Sequence, residues 1–68
     1  MEVLIGKIYQ VNHKRKGAFK IKVISIYDKY IDGIVIEGKV DAILKEDRKF
    51  KGEKVTINRK FCSFSEIK

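Results

Sequence analysis

Gly17 opens a run in which side chains alternate without a break: Phe19, Ile21 and Val23 take one parity, Ala18, Lys20 and Lys22 the other. A period of two belongs to a β-strand with one dry face and one wet face. Here the wet face is cationic. The preceding residues, His13, Lys14, Arg15 and Lys16, form a turn of the same sign. Residues 13–22 thus hold five of the sixteen basic residues and no acid. A chain built around such a stretch is expected to be a sheet protein with a positively charged hairpin.

The rest of the composition agrees. The apolar residues are mostly Ile, Val, Phe and Tyr, with two alanines and two leucines, a bias toward strand over helix. Charged residues make up 37% of the chain, but the alternation of the apolar ones separates it from disordered sequences. At 68 residues it forms one domain, which buries only about 60% of the surface its unfolded chain exposes, so the core must be compact. Cys62 is the single cysteine and His13 the single histidine. No internal disulfide is possible, and a structural zinc site, which takes four ligands, is not expected. No cofactor is expected either. The apolar start of the chain is broken by Gly6 and Lys7, and no later run approaches the roughly 20 apolar residues of a membrane span. A reduced cysteine and no export signal point to the cytoplasm.

Taken in order, residues 3–12 read as a first strand with Val3, Ile5, Tyr9 and Val11 inward and a bulge or close backbone approach at Gly6. Residues 13–17 form the first hairpin turn. Residues 18–27 make a long second strand whose apolar parity switches near Val23 and Ile24, as in a strand that bends a sheet into a barrel. Asp28 and Lys29 form the next turn. Residues 30–37 form a third strand around Ile34 and Ile36, with a kink or tight turn at Asp32 and Gly33. Val40, Ile43 and Leu44 supply a fourth apolar segment, readable as strand or helical turn. Residues 45–52 form a charged loop. Val55, Ile57 and Arg59 share a parity on the next strand, and a bend or 3₁₀ turn precedes the last segment. The expected fold is all-β, a small five-stranded SH3-like barrel, with an OB-like barrel as the second choice.

Gly6-Lys7-Ile8-Tyr9-Gln10-Val11 followed by Lys16-Gly17 resembles the KOW-type element of SH3-like barrels in ribosomal proteins and transcription elongation factors. Tyr9 and Val11 fill its alternating apolar positions and Lys16-Gly17 its turn, whereas Lys20 stands where the pattern has a second glycine. A longer set is similar to small uncharacterised proteins carried by bacteriophages and prophages: Arg15-Lys16-Gly17 with Phe19, residues 34–38, then Gly52 with Val55, Ile57, Arg59, Cys62 and Phe64. That resemblance implies provenance and no particular chemistry.

The net charge of +7 is uneven, with +5 on residues 13–22 and −2 on residues 28–41. Cations clustered in this way attract phosphate backbones by releasing condensed counterions. The expected partner is nucleic acid, DNA or RNA, held by Lys14, Arg15, Lys16, Lys20 and Lys22, with Arg59 and Lys60 extending the patch. By parity Tyr9 and Phe19 face inward and Phe61 and Phe64 join the core. Tyr27, Tyr30 and Phe50 remain as rings on which bases can stack. The competing structural reading makes the lysines a solubility coat and the rings core. A protein partner is the alternative, including self-association of a homodimer through the basic hairpin and the acidic stretch; no membrane partner is expected. Catalysis has little support. His13 sits among cations, Cys62 in an apolar FCSF context reads as a buried hydrophobe, and Asp28, Asp32, Glu37 and Asp41 read as a solvated edge.

Overall fold

A computed structural model describes residues 2–67. Five strands, β1 (Ile8–His13), β2 (Gly17–Tyr27), β3 (Tyr30–Gly38), β4 (Lys54–Asn58) and β5 (Cys62–Glu66), form one antiparallel sheet in the order β4-β3-β2-β1-β5. The two outer strands follow one another in the chain, joined only by the 3₁₀ turn Arg59–Phe61. In a flat sheet four spacings of ~4.8 Å would hold them about 19 Å apart, farther than three residues of 3₁₀ turn extend. The sheet therefore curls on itself. This is the all-β, five-stranded SH3-like arrangement that the strand pattern predicts. Among the described residues no helix is long and apolar enough to cross a membrane.

The inner face packs Tyr9, Val11, Phe19, Ile21, Val23, Ile31, Val35, Val55 and Ile57 into one core, which Val3 and Val40 join from outside the strands. Strand β1 is shorter than expected. Gly6 adopts φ 88°, its N–H donates to the Val23 carbonyl at 2.8 Å, and the strand begins only after this turn. Val3 still reaches the core, because the Tyr9 hydroxyl accepts the Leu4 N–H at 2.8 Å and ties the N-terminal segment down. Ile5 is exposed, contrary to its parity.

In β2 the register against β3 shifts between Val23 and Ser25. The residue between them, Ile24, is left outward, and Ile26 returns to pack against the core. The change of parity seen in the sequence is thus a β-bulge, which adds the bend the curl needs.

Strand β3 corrects the sequence reading. Ile31, Gly33 and Val35 face the core, while Ile34 and Ile36 are half-buried on the other face. Asp32 and Gly33 form no turn. Gly33 lies in mid-strand, where a Cβ would stand 2.9 Å from Ile21 Cδ1 and 3.1 Å from the Lys22 carbonyl oxygen. The missing side chain lets β2 and β3 cross closely beneath the bulge.

The segment after Gly38 is neither strand nor helical turn. Val40 forms an isolated bridge with Lys49 and is buried, whereas Ile43 and Leu44 are exposed, followed by the 3₁₀ turn Lys45–Asp47. Two further expectations fail at the end of β4. Arg59 leaves the strand to begin the 3₁₀ turn, and Phe61 is exposed, not core. Asn58 causes the first change: its side-chain oxygen accepts the Lys60 N–H at 2.9 Å and caps the turn.

Candidate nucleic-acid interface

The β1–β2 hairpin closes through three residues, with His13 opposite Gly17 and Gly17 at φ 85°, a conformation that glycine reaches without steric cost. The turn is held from inside. Buried His13 turns its Nδ1 toward the tip, where it accepts the backbone N–H of Arg15 at 3.0 Å and of Lys16 at 3.1 Å. Protonation of that nitrogen is disfavoured, and the imidazole sits below its ordinary 6.5, through burial first and then the charges of Lys16 and Arg15. The turn is also held from outside. Lys14 donates its N–H to the Phe61 carbonyl at 2.9 Å, and the Lys16 carbonyl accepts the Asp41 N–H at 2.9 Å.

Lys14 and Arg15 are exposed at the tip and Lys16 is half-buried beside it. Lys20 and Lys22 lie on the outer face of β2, as their parity requires. Lys20 is not free, however: it forms an ion pair with Glu37, the hydrogen bond and charge of which hold the Glu37 carboxyl below its usual range. Lys14, Arg15, Lys16 and Lys22 have no carboxylate partner among the described residues. Lys60 is exposed on the 3₁₀ turn next to the hairpin. Arg59 turns elsewhere, into a small depression of about 350 Å³ with Val3, Cys62 and Phe64.

Of the three expected stacking rings, the structure brings Tyr27 and Tyr30 together at the β2–β3 turn and places Phe50 in the β3–β4 connection. Tyr27 and Phe50 are exposed in different places, Phe50 with its N–H bonded to the Glu53 carboxylate at 2.7 Å in the β3–β4 connection. Tyr30 is half-buried, its ring 5.7 Å from Lys29 Nζ and 6.2 Å from Tyr27. Only Tyr30 of the three borders a cleft of about 810 Å³ between the hairpin tip and the β3–β4 connection. The ring that joins the hairpin is one the sequence assigned to the core. Phe61 is 41% exposed, with the Arg15 guanidinium 6.0 Å above it and the His13 ring at 6.1 Å. The signal for it was Asn58, a capping residue three positions earlier that starts a turn and carries Phe61 out of the strand parity.

Cys62 stands opposite His13 in the β1–β5 register, half-buried, its thiol donating to the Asn58 carbonyl at 3.3 Å. Burial pushes that thiol up to about 11, against a lowering by Lys16. It is a poor nucleophile at neutral pH. No cluster of three or more metal-binding side chains occurs among the described residues. Comparison with family models, curated proteins and solved structures gives no match.

Proposed function

We propose that this protein is a small basic β-barrel module that binds nucleic acid in the cytoplasm, through phosphate contacts made by the hairpin of residues 13–22. One observation carries the reading: four of the five hairpin cations lack a carboxylate partner among the described residues, on a turn pinned by His13 and Phe61. A solubility coat needs no fixed geometry, whereas phosphate recognition gains from charges whose backbone is already ordered. Lys14, Arg15 and Lys16 supply the main contacts, with Lys22 and Lys60 extending them; Lys20 contributes less, since Glu37 shares its charge. No catalytic step is assigned to it.

The test is reversal of the tip, Lys14→Glu, Arg15→Glu and Lys16→Glu together, with oligonucleotide binding measured by fluorescence anisotropy at low salt. The hairpin reading requires a folded variant that has lost binding. Retained binding places the site elsewhere on the surface.

A further inference from the structure

The cleft beside the hairpin differs in electrical character from the hairpin itself. Arg15, Lys16, Asp41 and Asp47 all line it, and His13 is neutral, so its charged lining sums to zero. Asp41 is tied to Arg48 at 3.2 Å as well. A phosphate gains nothing by leaving the unpaired cations of the tip to enter such a space. An uncharged flat group does, because the cleft is lined by the partly exposed ring of Phe61, the ring of Tyr30 and the side chains of Ile43 and Leu44. Polar groups are also in place: Asn58 uses its oxygen to cap the Lys60 N–H, which leaves its amide N–H groups for a ligand edge, and Asp47 adds an acceptor. The volume lies in the range of small-ligand sites.

A neutral aromatic slot next to a row of unpaired cations matches the repeating unit of an unpaired nucleic-acid strand. Its bases are flat and uncharged, and its charge lies one sugar away. We infer that the cleft receives an unpaired base of single-stranded DNA or RNA, stacked on Phe61, while the flanking phosphates rest on Lys14, Arg15 and Lys16. This inference rests on the phosphate reading and adds to it a preference for single strands, since bases in a duplex are already stacked and paired.

The test uses the full chain with short oligothymidine and oligouridine strands and a duplex of equal length. The unmodified protein should bind either single strand at least about tenfold more tightly than the duplex at the same salt. Phe61→Ala should remain folded, because the ring is exposed, and should lose about five- to hundredfold in single-strand affinity, the range of one lost base stack. Its salt dependence should be unchanged, because no charge is removed. Phe61→Trp places the only tryptophan of the chain in the cleft, and its fluorescence should be quenched by either strand. Equal affinity for duplex, unaltered binding by Phe61→Ala, or an unquenched tryptophan at saturation overturns the inference and leaves the phosphate reading standing. Quenching by an apolar peptide but not by an oligonucleotide overturns it in favour of a protein ligand. Absence of any nucleic-acid binding by the unmodified protein removes the phosphate reading, and the stacked base with it.

Discussion

His13 Nδ1 accepts the backbone N–H of Lys16 at 3.1 Å, so a buried neutral imidazole holds the chain at the most cationic point of the molecule. The same nitrogen takes the Arg15 N–H, satisfying two donors that a tight turn otherwise leaves to water. The hairpin tip thus depends on a side chain that must stay unprotonated at that atom.

Acid should loosen this arrangement. The folded state holds His13 below 6.5, so between that folded value and 6.5 the unfolded chain binds more protons than the native one. Stability is full above about pH 6.5 and falls as pH drops through that window. Urea denaturation at stepped pH should show this decline, and His13→Asn should lack it. Protection factors of the Arg15 and Lys16 amides, referred to the intrinsic exchange rate at each pH, should fall over the same window. A flat profile in the unmodified protein would mean that the ring does not hold the turn.

At the alkaline end the sign reverses. The Cys62 thiol, pushed up to about 11 from an ordinary 9.0, keeps a proton that the unfolded chain releases, so stability should decline as pH rises above about 9. At pH 8 the native protein carries roughly hundredfold less thiolate than the unfolded chain at this residue, and alkylation by iodoacetamide should be slowed to match. Equal rates in native buffer and in denaturant would contradict the burial of the thiol.

Gly33→Ala should destabilise the fold by about 1–3 kcal/mol, the usual cost of forcing a methyl group into a packed site. Adding Ile21→Val removes Cδ1 but leaves Cβ 3.0 Å from the added methyl group, so the double variant should lose less than the sum of the two single losses. The loss at Gly33 does not vanish, because the Lys22 carbonyl oxygen lies 3.1 Å from the same point and belongs to the backbone. Urea midpoints of the single and double variants decide the matter.

Tyr9→Phe should cost about 0.5–1.5 kcal/mol through loss of the bond from the Leu4 N–H. The ring is fully buried and its packing against Phe64, with centroids 6.0 Å apart, should persist. The effect should therefore be confined to the N-terminal segment, seen as faster amide exchange at Leu4 with β1–β2 amides unchanged.

The strands were legible wherever one face is dry and the other wet. Alternation places Phe19, Ile21 and Val23 in the core and Lys20 and Lys22 outside it, and the structure agrees. It misled in β3, where Ile34 and Ile36 outweigh Ile31 and Val35 by hydropathy; only the close crossing at Gly33 decides which parity is inward, and that is a tertiary fact. The cationic hairpin was legible from charge alone. The pairing of Lys20 with Glu37 was not, because it joins residues on two strands whose register shifts twice, at Ile24 in β2 and again between Lys20 and Ile21, where β3 carries the extra residue Ile36. Phe61 was hidden for a local reason: three residues of 3₁₀ turn rotate it out of the alternation that Val55 and Ile57 establish.

Salt dependence of oligonucleotide binding tests the hairpin most directly. Four unpaired cations, Lys14, Arg15, Lys16 and Lys22, each neutralising one phosphate of a single strand, give a slope of log affinity on log salt of about −2.8, and reversal of the three at the tip should remove most of it. Affinity that is absent at low salt, or a slope the reversal leaves untouched, would contradict a phosphate-binding hairpin.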